Sequence, residues 1–391
     1  MNAPSRFPSL TGRVAPERHS PPSFGVLTSY PPTPCGLATF SVGLSEGLSK
    51  KGASVSIVRV ADGRESSSTS ISGELVNGSA QSVAACAELL NQHDVAIIQH
   101  EYDLYGGADG EEILEVIGRL RVPTVLVAHQ ILKSPTPHQR SVLESIVAKV
   151  DRVVVMSQAA NERLSTEYAV DRQKVATIQR GATLPTVAPL KRAGRPTLLT
   201  WGLMRPGKGV ERVIDAMASL KELRGQPRYL VSGMTHPRVQ AAEGEAYRDA
   251  CIEHAKQRGV AGSVNFDTIY RGTSSLSALI QTSAVVVLPY DSTDQANSGV
   301  LVDALAAGRP VVATAFPHAV ELLGSGAGVV VDHDDPDALA FALRRMLTDP
   351  RMTGDMAAEA RRLAPTMAWS VAAGEYMTLA RRVLAERAAL V

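Results

Sequence analysis

Cysteine, aromatic side chains and a surplus of either charge are all scarce in this 391-residue chain. Its three cysteines, Cys35, Cys86 and Cys251, are odd in number and far apart. That excludes a disulfide framework or a zinc knuckle and points to a reducing compartment. Aromatics make up only 4%, too few for a surface of stacked rings. Forty Lys and Arg against 39 Asp and Glu leave a formal charge of +1. No basic excess is available to neutralise a nucleic-acid backbone, so no nucleic-acid partner is expected. Apolar runs of about 18 residues or more are missing, which excludes a membrane-spanning helix. Residues 1–22 are rich in Pro, Ser and Arg and lack the apolar core of a secretory signal. They read as a flexible lead-in, and the expected location is cytoplasmic.

What is present is an ordinary soluble composition, 45% hydrophobic and 20% charged, over a length that suggests two domains. Short apolar runs bounded by turn residues alternate with amphipathic stretches. FGVLTS from Phe24, a helix over Leu37–Lys51 and the run SVSIVRV form a strand–helix–strand unit. VAIIQ (95–99), TVLVA (124–128), RVVVM (152–156) and VATI (175–178) follow, with a helix over Gln139–Lys149. After a Pro-rich, basic linker at 184–196 the pattern restarts with TLLTW (197–201) and a helix from Val210 to Glu222. YLVSG (229–233), a helix over Ala242–Arg258, VNF, a helix over Ser274–Gln281 and VVVLP (285–289) come next. A helix over Gly299–Ala307 and the strands PVVAT (310–314) and GVVVD (328–332) complete the half. Continuously apolar strands alternating with helices predict parallel sheets covered on both faces. The expected fold class is therefore α/β, with a first domain over 23–187 and a second over 196–371. The last segment, about 372–391, is basic on one side. Its apolar positions Met377, Leu379, Val383 and Leu384 need cover, so it is expected to pack back on the first domain rather than lie on a membrane. Ligands of such sheets bind beyond the carboxyl ends of the strands, so the cleft between the two halves is the expected site.

Two motifs lie there. WGLMRPGKG (201–209) joins a strand to a helix. Gly202, Gly207 and Gly209 let the backbone approach a ligand, and Lys208 stands just before a helix N-terminus that favours phosphate. Walker spacing and G-x-G-x-x-G are both missing. LPYDSTDQANSGVLVDALAAGRPVVAT (288–314) is a strand, a polar loop and a helix opened by Ser298 and Gly299. The N–H groups of Ser298, Gly299 and Val300 are expected to receive a diphosphate. Asp303, eight residues after Gln295, either takes ribose hydroxyls or only complements the helix dipole.

Together with TSYPPTPCGLATFSVGLSEGLSKKG, IIQHEYDLYGG and AHQILKSPTPHQR, these motifs resemble the retaining glycosyltransferases of family 4. The likeness runs from about Phe24 to the end. It implies the GT-B fold, two facing Rossmann-like domains, and transfer of a hexose from a nucleoside diphosphate sugar to a hydroxyl of a glycan or glycolipid acceptor. By position it implies that Gly36 and Leu37 approach the substrates and that His129 stands near the transferred sugar. Lys208 falls on the diphosphate-binding lysine, and Gln295 and Asp303 on the two acids of the Glu-x7-Glu motif. Gly202 and Leu301 fall within the donor-binding segments. This chain has Gly202-Leu203-Met204 where the family has Gly-Arg-Leu, which leaves Arg205 as the candidate phosphate arginine. Gln295 carries no charge, and Asp303 is one methylene shorter than Glu. The implied path is a front-face substitution in which the leaving phosphate helps deprotonate the acceptor, with no cofactor and no metal.

GDP-mannose is the favoured donor, UDP- or ADP-glucose the alternative. A nucleotide-sugar epimerase or hydrolase, or a non-catalytic nucleotide-sugar binder, are the competing functions. His100, Glu101, His236, His318 and Glu321, near strand ends facing the cleft, are candidates for acceptor or sugar contacts. Asp332-His333-Asp334 resembles a metal-binding Asp-x-Asp, but Asp335 before Pro336 reads better as a helix cap.

Overall fold

The computed structural model describes residues 20–186 and 194–389. Residues 1–19 of the expected lead-in and 187–193 of the expected linker lie outside that range.

Residues 24–177 run β1 (Phe24–Thr28), α1 (Gly36–Lys50), β2 (Val55–Val60), β3 (Ile71–Leu75), α2 (Ala80–Leu90), β4 (Val95–His100) and α3 (Ile113–Ile117). They continue as β5 (Thr124–Ala128), α4 (Pro137–Lys149), β6 (Arg152–Val155), α5 (Gln158–Glu167) and β7 (Val175–Thr177). The second half runs β8 (Thr197–Trp201), α6 (Val210–Leu220), β9 (Arg228–Ser232), α7 (Pro237–Glu243), α8 (Ala246–Gln257), β10 (Val264–Asp267) and α9 (Thr273–Thr282). It ends with β11 (Val285–Leu288), α10 (Gly299–Ala306), β12 (Val311–Thr314), α11 (Pro317–Leu323), β13 (Gly328–Val331), α12 (Pro336–Thr348), α13 (Pro350–Leu363) and α14 (Trp369–Ala388).

Two parallel sheets result, in the orders β3-β2-β1-β4-β5-β6-β7 and β10-β9-β8-β11-β12-β13. The expected pair of doubly wound domains is borne out. Strands β1, β4, β5, β8 and β11 are buried along their whole length. Each sheet separates two apolar clusters, one under the helices of each face. That is why these strands read as unbroken apolar runs rather than alternating ones.

Chain direction across each sheet reverses beside its first strand. β1 lies between β2 and β4, and β8 between β9 and β11. The crevices beyond β1/β4 and β8/β11 are the switch points at which such sheets hold ligands.

Helix α14 leaves the second half and packs on the first. Ala372, Ala373, Tyr376, Met377 and Ala380 share a core with Phe24, Phe40, Leu44 and Leu48. Its far end is tied by Arg387 to Asp151 at 3.0 Å and by Arg152 to Glu386.

Some elements differ from the sequence reading. β3 was not expected, because ISGEL at a sheet edge is half polar. α4 starts two residues before the expected Gln139, with Thr136 and Gln139 in a capping box and Pro137 in the first turn. The single helix expected over 242–258 is two, broken at Gly244, whose φ is +63°. Asp335 caps α12, accepting from the N–H groups of Asp337 and Ala338 at 3.0 Å, and Asp332 accepts from Asp334 N–H in the preceding turn.

Candidate active site

The turn between β8 and α6 is built by glycine. Gly209 caps α6 at φ +68°, and any Cβ there would overlap the Pro289 carbonyl oxygen. Only glycine lets this turn close against the end of β11. Closure aims Lys208 back into the crevice. Its Nζ donates to the Tyr290 hydroxyl at 3.2 Å and lies 4.5 Å from the centre of that ring. A Cβ on Gly202 would stand 3.3 Å from Lys208 Nζ and 3.9 Å from Val300 Cγ2. The ammonium, the glycine turn and the start of α10 therefore form one cluster. Burial, and then the nearby Arg205 guanidinium, hold the Lys208 pKa down at about 7. Arg205 itself is exposed at the mouth of the crevice.

The loop from Pro289 to Ser298 is fastened to the first domain. Ser157 Oγ donates to Ala296 O at 2.5 Å, and Arg163 pairs with Asp294 at 2.7 Å. Lys133 N–H also donates to Asp294, at 3.2 Å. Ser298 caps α10 through its hydroxyl, which accepts from Leu301 N–H at 3.3 Å. Its own N–H donates to His318 Nδ1 at 2.8 Å. These bonds correct part of the sequence reading. The N–H groups of Ser298 and Leu301 are already used, and the Leu301 side chain is fully buried. The N–H groups of Gly299 and Val300 are the first of the helix and have no intrahelical partner. They are the donors left for an anion.

His318 is corrected in the same way. It is 1% exposed, and its ring holds the loop backbone, out of contact with the open cleft. Burial and the neighbouring Arg180 push its pKa down to about 4, so it accepts as the neutral ring. Gln295 turns its amide back onto Asn297 O at 3.0 Å.

Asp303, one turn into α10, faces Arg180 of the first domain, with 3.7 Å between Oδ2 and Nη2. Burial raises the carboxyl above the usual aspartate range, and Arg180 opposes that shift. Sequence reasoning missed Arg180. It directly follows the strand end VATIQ, and the rule that strand ends line the cleft would have found it.

On the facing side, Gly36 opens α1 with no atom within 4 Å of where a Cβ would stand. Leu37 turns its side chain into the core. His129, at the end of β5, packs edge-on against Phe40 at 4.8 Å. Its Nε2 lies 2.6 Å from Gln99 Oε1. An amide oxygen only accepts, so Nε2 carries the proton and Nδ1 is left as an acceptor. Burial first, then Arg180 and His100, hold this ring neutral with a pKa of about 3.

His100 is fully buried beside Tyr102, which corrects its expected acceptor contact: the ring does not reach the cleft. Glu101 does stand at that mouth, its pKa raised to about 7 by burial and Asp103 against the pull of Arg238 and Arg205. His236 caps α7, accepting from Arg238 N–H at 3.3 Å, and Arg238 pairs across the cleft with Asp103 at 2.8 Å. Glu321 is corrected too. Its two oxygens accept from the N–H groups of Gln158 and Ala159, at 3.1 and 3.2 Å. It caps α5 of the opposite domain and belongs to the interdomain joint.

The site thus offers a half-buried lysine, two backbone donors without an intrahelical partner and a carboxylate at the switch point of the second sheet. Residues 34–184 match the Glycosyltransferase Family 4 model and residues 187–363 the Glycosyl transferases group 1 model. A D-inositol 3-phosphate glycosyltransferase of Rhodococcus opacus is 27% identical over 275 residues, covering 64% of this chain and 60% of that protein. The chain therefore spans less than two thirds of that relative's length. Sucrose-phosphate synthase of Thermosynechococcus elongatus superposes with a TM-score of 0.73 at 18% identity, over 93% of this chain and 99% of that one. Anabaena HepE, solved with UDP and glucose, gives 0.69 at 18% identity, over 92% and 98%. The first half thus matches the one glycosyltransferase domain model and the second half the other, and the two facing Rossmann-like sheets have the GT-B fold.

Proposed function

We propose that this protein moves a hexose from a nucleoside diphosphate sugar to a hydroxyl of its acceptor, with retention of the anomeric configuration. The observation that carries this reading is the position of Lys208. Its ammonium and the Val300 side chain flank the same point beside Gly202, at the start of α10, whose first N–H groups have no intrahelical partner. Negative charge grows on the diphosphate as the glycosidic bond to it breaks. Fixed donors aimed at that charge lower the barrier without reorganising. His129 Nδ1 offers an acceptor to a sugar hydroxyl, and Asp303 offers a carboxylate to the ribose. No cofactor takes part in this reading, and the leaving phosphate serves as the base for the acceptor hydroxyl.

For the donor, GDP-mannose is the expectation from sequence. HepE, solved with UDP and glucose, supports a uridine donor as the second reading. The acceptor class is a glycan or glycoconjugate hydroxyl. The D-inositol 3-phosphate glycosyltransferases among the relatives add a phosphorylated polyol to the candidates. Thermal shift against a panel of nucleotide sugars, followed by product analysis with each acceptor class, tests the reading. One donor should raise the melting point and yield a new α-glycoside. Donor turnover without an acceptor product would favour the hydrolase or epimerase, and binding without turnover a non-catalytic binder. Lys208→Ala should lower kcat by about 10²–10³, the cost of one preorganised donor. An unaltered kcat removes Lys208 from the mechanism.

A further inference from the structure

Arg180 is the one member of the cluster for which neither motif accounts. It follows β7 in the first domain yet reaches the face of α10 in the second. The space a Gly299 Cβ would fill is occupied by its Nη1, so that end of the guanidinium abuts the first residue of the helix. Its side chain is 10% exposed. Its Nε is buried and donates to no atom among the described residues. The Asp303 carboxylate, 3.7 Å from Nη2, is beyond hydrogen-bond reach. Lys208 flanks the same helix start through Gly202 and Val300. Two basic side chains and two N–H groups without an intrahelical partner therefore converge there, and among the described residues Asp303 is the carboxylate paired with Arg180. His129 and His318, on either side, are neutral acceptors and add no negative charge.

We propose that Arg180, carried in from the first domain, is a ligand of the donor's diphosphate, sharing that anion with Lys208 and the first N–H groups of α10. The proposal rests on the reading of the cleft as a nucleotide-sugar site. A planar guanidinium pairs with phosphate through two parallel N–H donors, which its long contact to Asp303 does not offer. On binding, ribose hydroxyls take the Asp303 carboxylate and phosphate oxygens take the guanidinium. Because Arg180 and Lys208 belong to different domains, the diphosphate becomes a bridge between them. Gly299 is then required as glycine by Arg180, since any side chain would displace the guanidinium.

The test is calorimetric titration of UDP and GDP, their monophosphates and their nucleosides. Wild type, Arg180→Met, Gly299→Ala and Lys208→Ala are compared, with circular dichroism checking the fold. Arg180→Met should weaken the preferred diphosphate about tenfold or more, the monophosphate less and the nucleoside not at all. Gly299→Ala should reproduce that order while keeping the arginine, and it carries the test if Arg180→Met fails to fold. Diphosphate affinity equal to wild type in both variants overturns the proposal. So does an equal loss for nucleoside and diphosphate, which would make Arg180 a strut for Asp303. An unaltered diphosphate affinity with a raised KM for inositol phosphate would assign the guanidinium to an acceptor phosphate instead, and also overturns it. If Lys208→Ala loses the diphosphate and the Arg180 and Gly299 variants do not, only this proposal fails. If wild type binds neither diphosphate, the reading of the cleft fails with it.

Discussion

Donor affinity should depend on pH through Lys208, and the size of the effect follows from its surroundings. Burial and Arg205 hold this ammonium at about 7 against an ordinary 10.5. At pH 8 only about a tenth of the donor-free protein then carries the charge, and a bound diphosphate needs it. Binding must take up a proton, at about 1.4 kcal/mol per pH unit above 7. The donor dissociation constant should therefore rise about tenfold between pH 8 and 9 and level off below about 6. A nucleotide sugar is the right probe, because its diphosphate stays ionised over this range and a free diphosphate does not. Calorimetry in two buffers of different ionisation enthalpy reads the proton directly: nearly one taken up at pH 8, nearly none at pH 6. Lys208→Arg, which stays charged throughout, should abolish the slope. A flat affinity profile from pH 6 to 9, or net proton release, refutes the argument. The donor-free chain obeys the same linkage. Unfolded Lys208 binds its proton near 10.5 and folded Lys208 only near 7, so this group's contribution to stability falls as pH drops through that window and is level below it.

Other consequences are simpler to test. Glu321→Gln removes the charge from the N-terminus of α5 and should cost about 0.3–1 kcal/mol, read as a lower urea midpoint; an unmoved midpoint would deny the cap any role in holding the domains together. Gly43→Ala would drive a methyl group into the Trp369 indole at the α1–α14 contact. It should cost about 1–3 kcal/mol and alter the tryptophan emission, and unaltered unfolding would mean that the contact yields freely. Transfer should persist in excess EDTA, whereas strict dependence on added Mg2+ or Mn2+ would refute the metal-free path.

Much of the architecture was legible because the signals are local. FGVLT and TLLTW announce buried parallel strands by composition alone, and the glycines around Lys208 announce a turn that approaches a ligand. The misses have physical causes. β3 is an edge strand, so its outward residues are polar and the apolar run disappears. Gly244 looks like one weak residue within a helix, yet its left-handed backbone divides α7 from α8. His100 and His129 both end apolar strands, and nothing in either segment tells which is sealed in. The structure buries His100 beside Tyr102 and sets His129 against Gln99 and Phe40.

The residues alone determined two doubly wound halves, a lysine on a glycine turn and a helix start across from it, since propensity and period act within a few neighbours. Tertiary structure decided which groups remain free to act. Ser298 N–H is spent on His318, twenty residues on. Glu321 is spent on Gln158, 163 residues away. Arg180 is brought to Gly299 only because the two sheets close on each other. A hydrogen bond between distant segments is a property of how those sheets pack, and no window of sequence contains it.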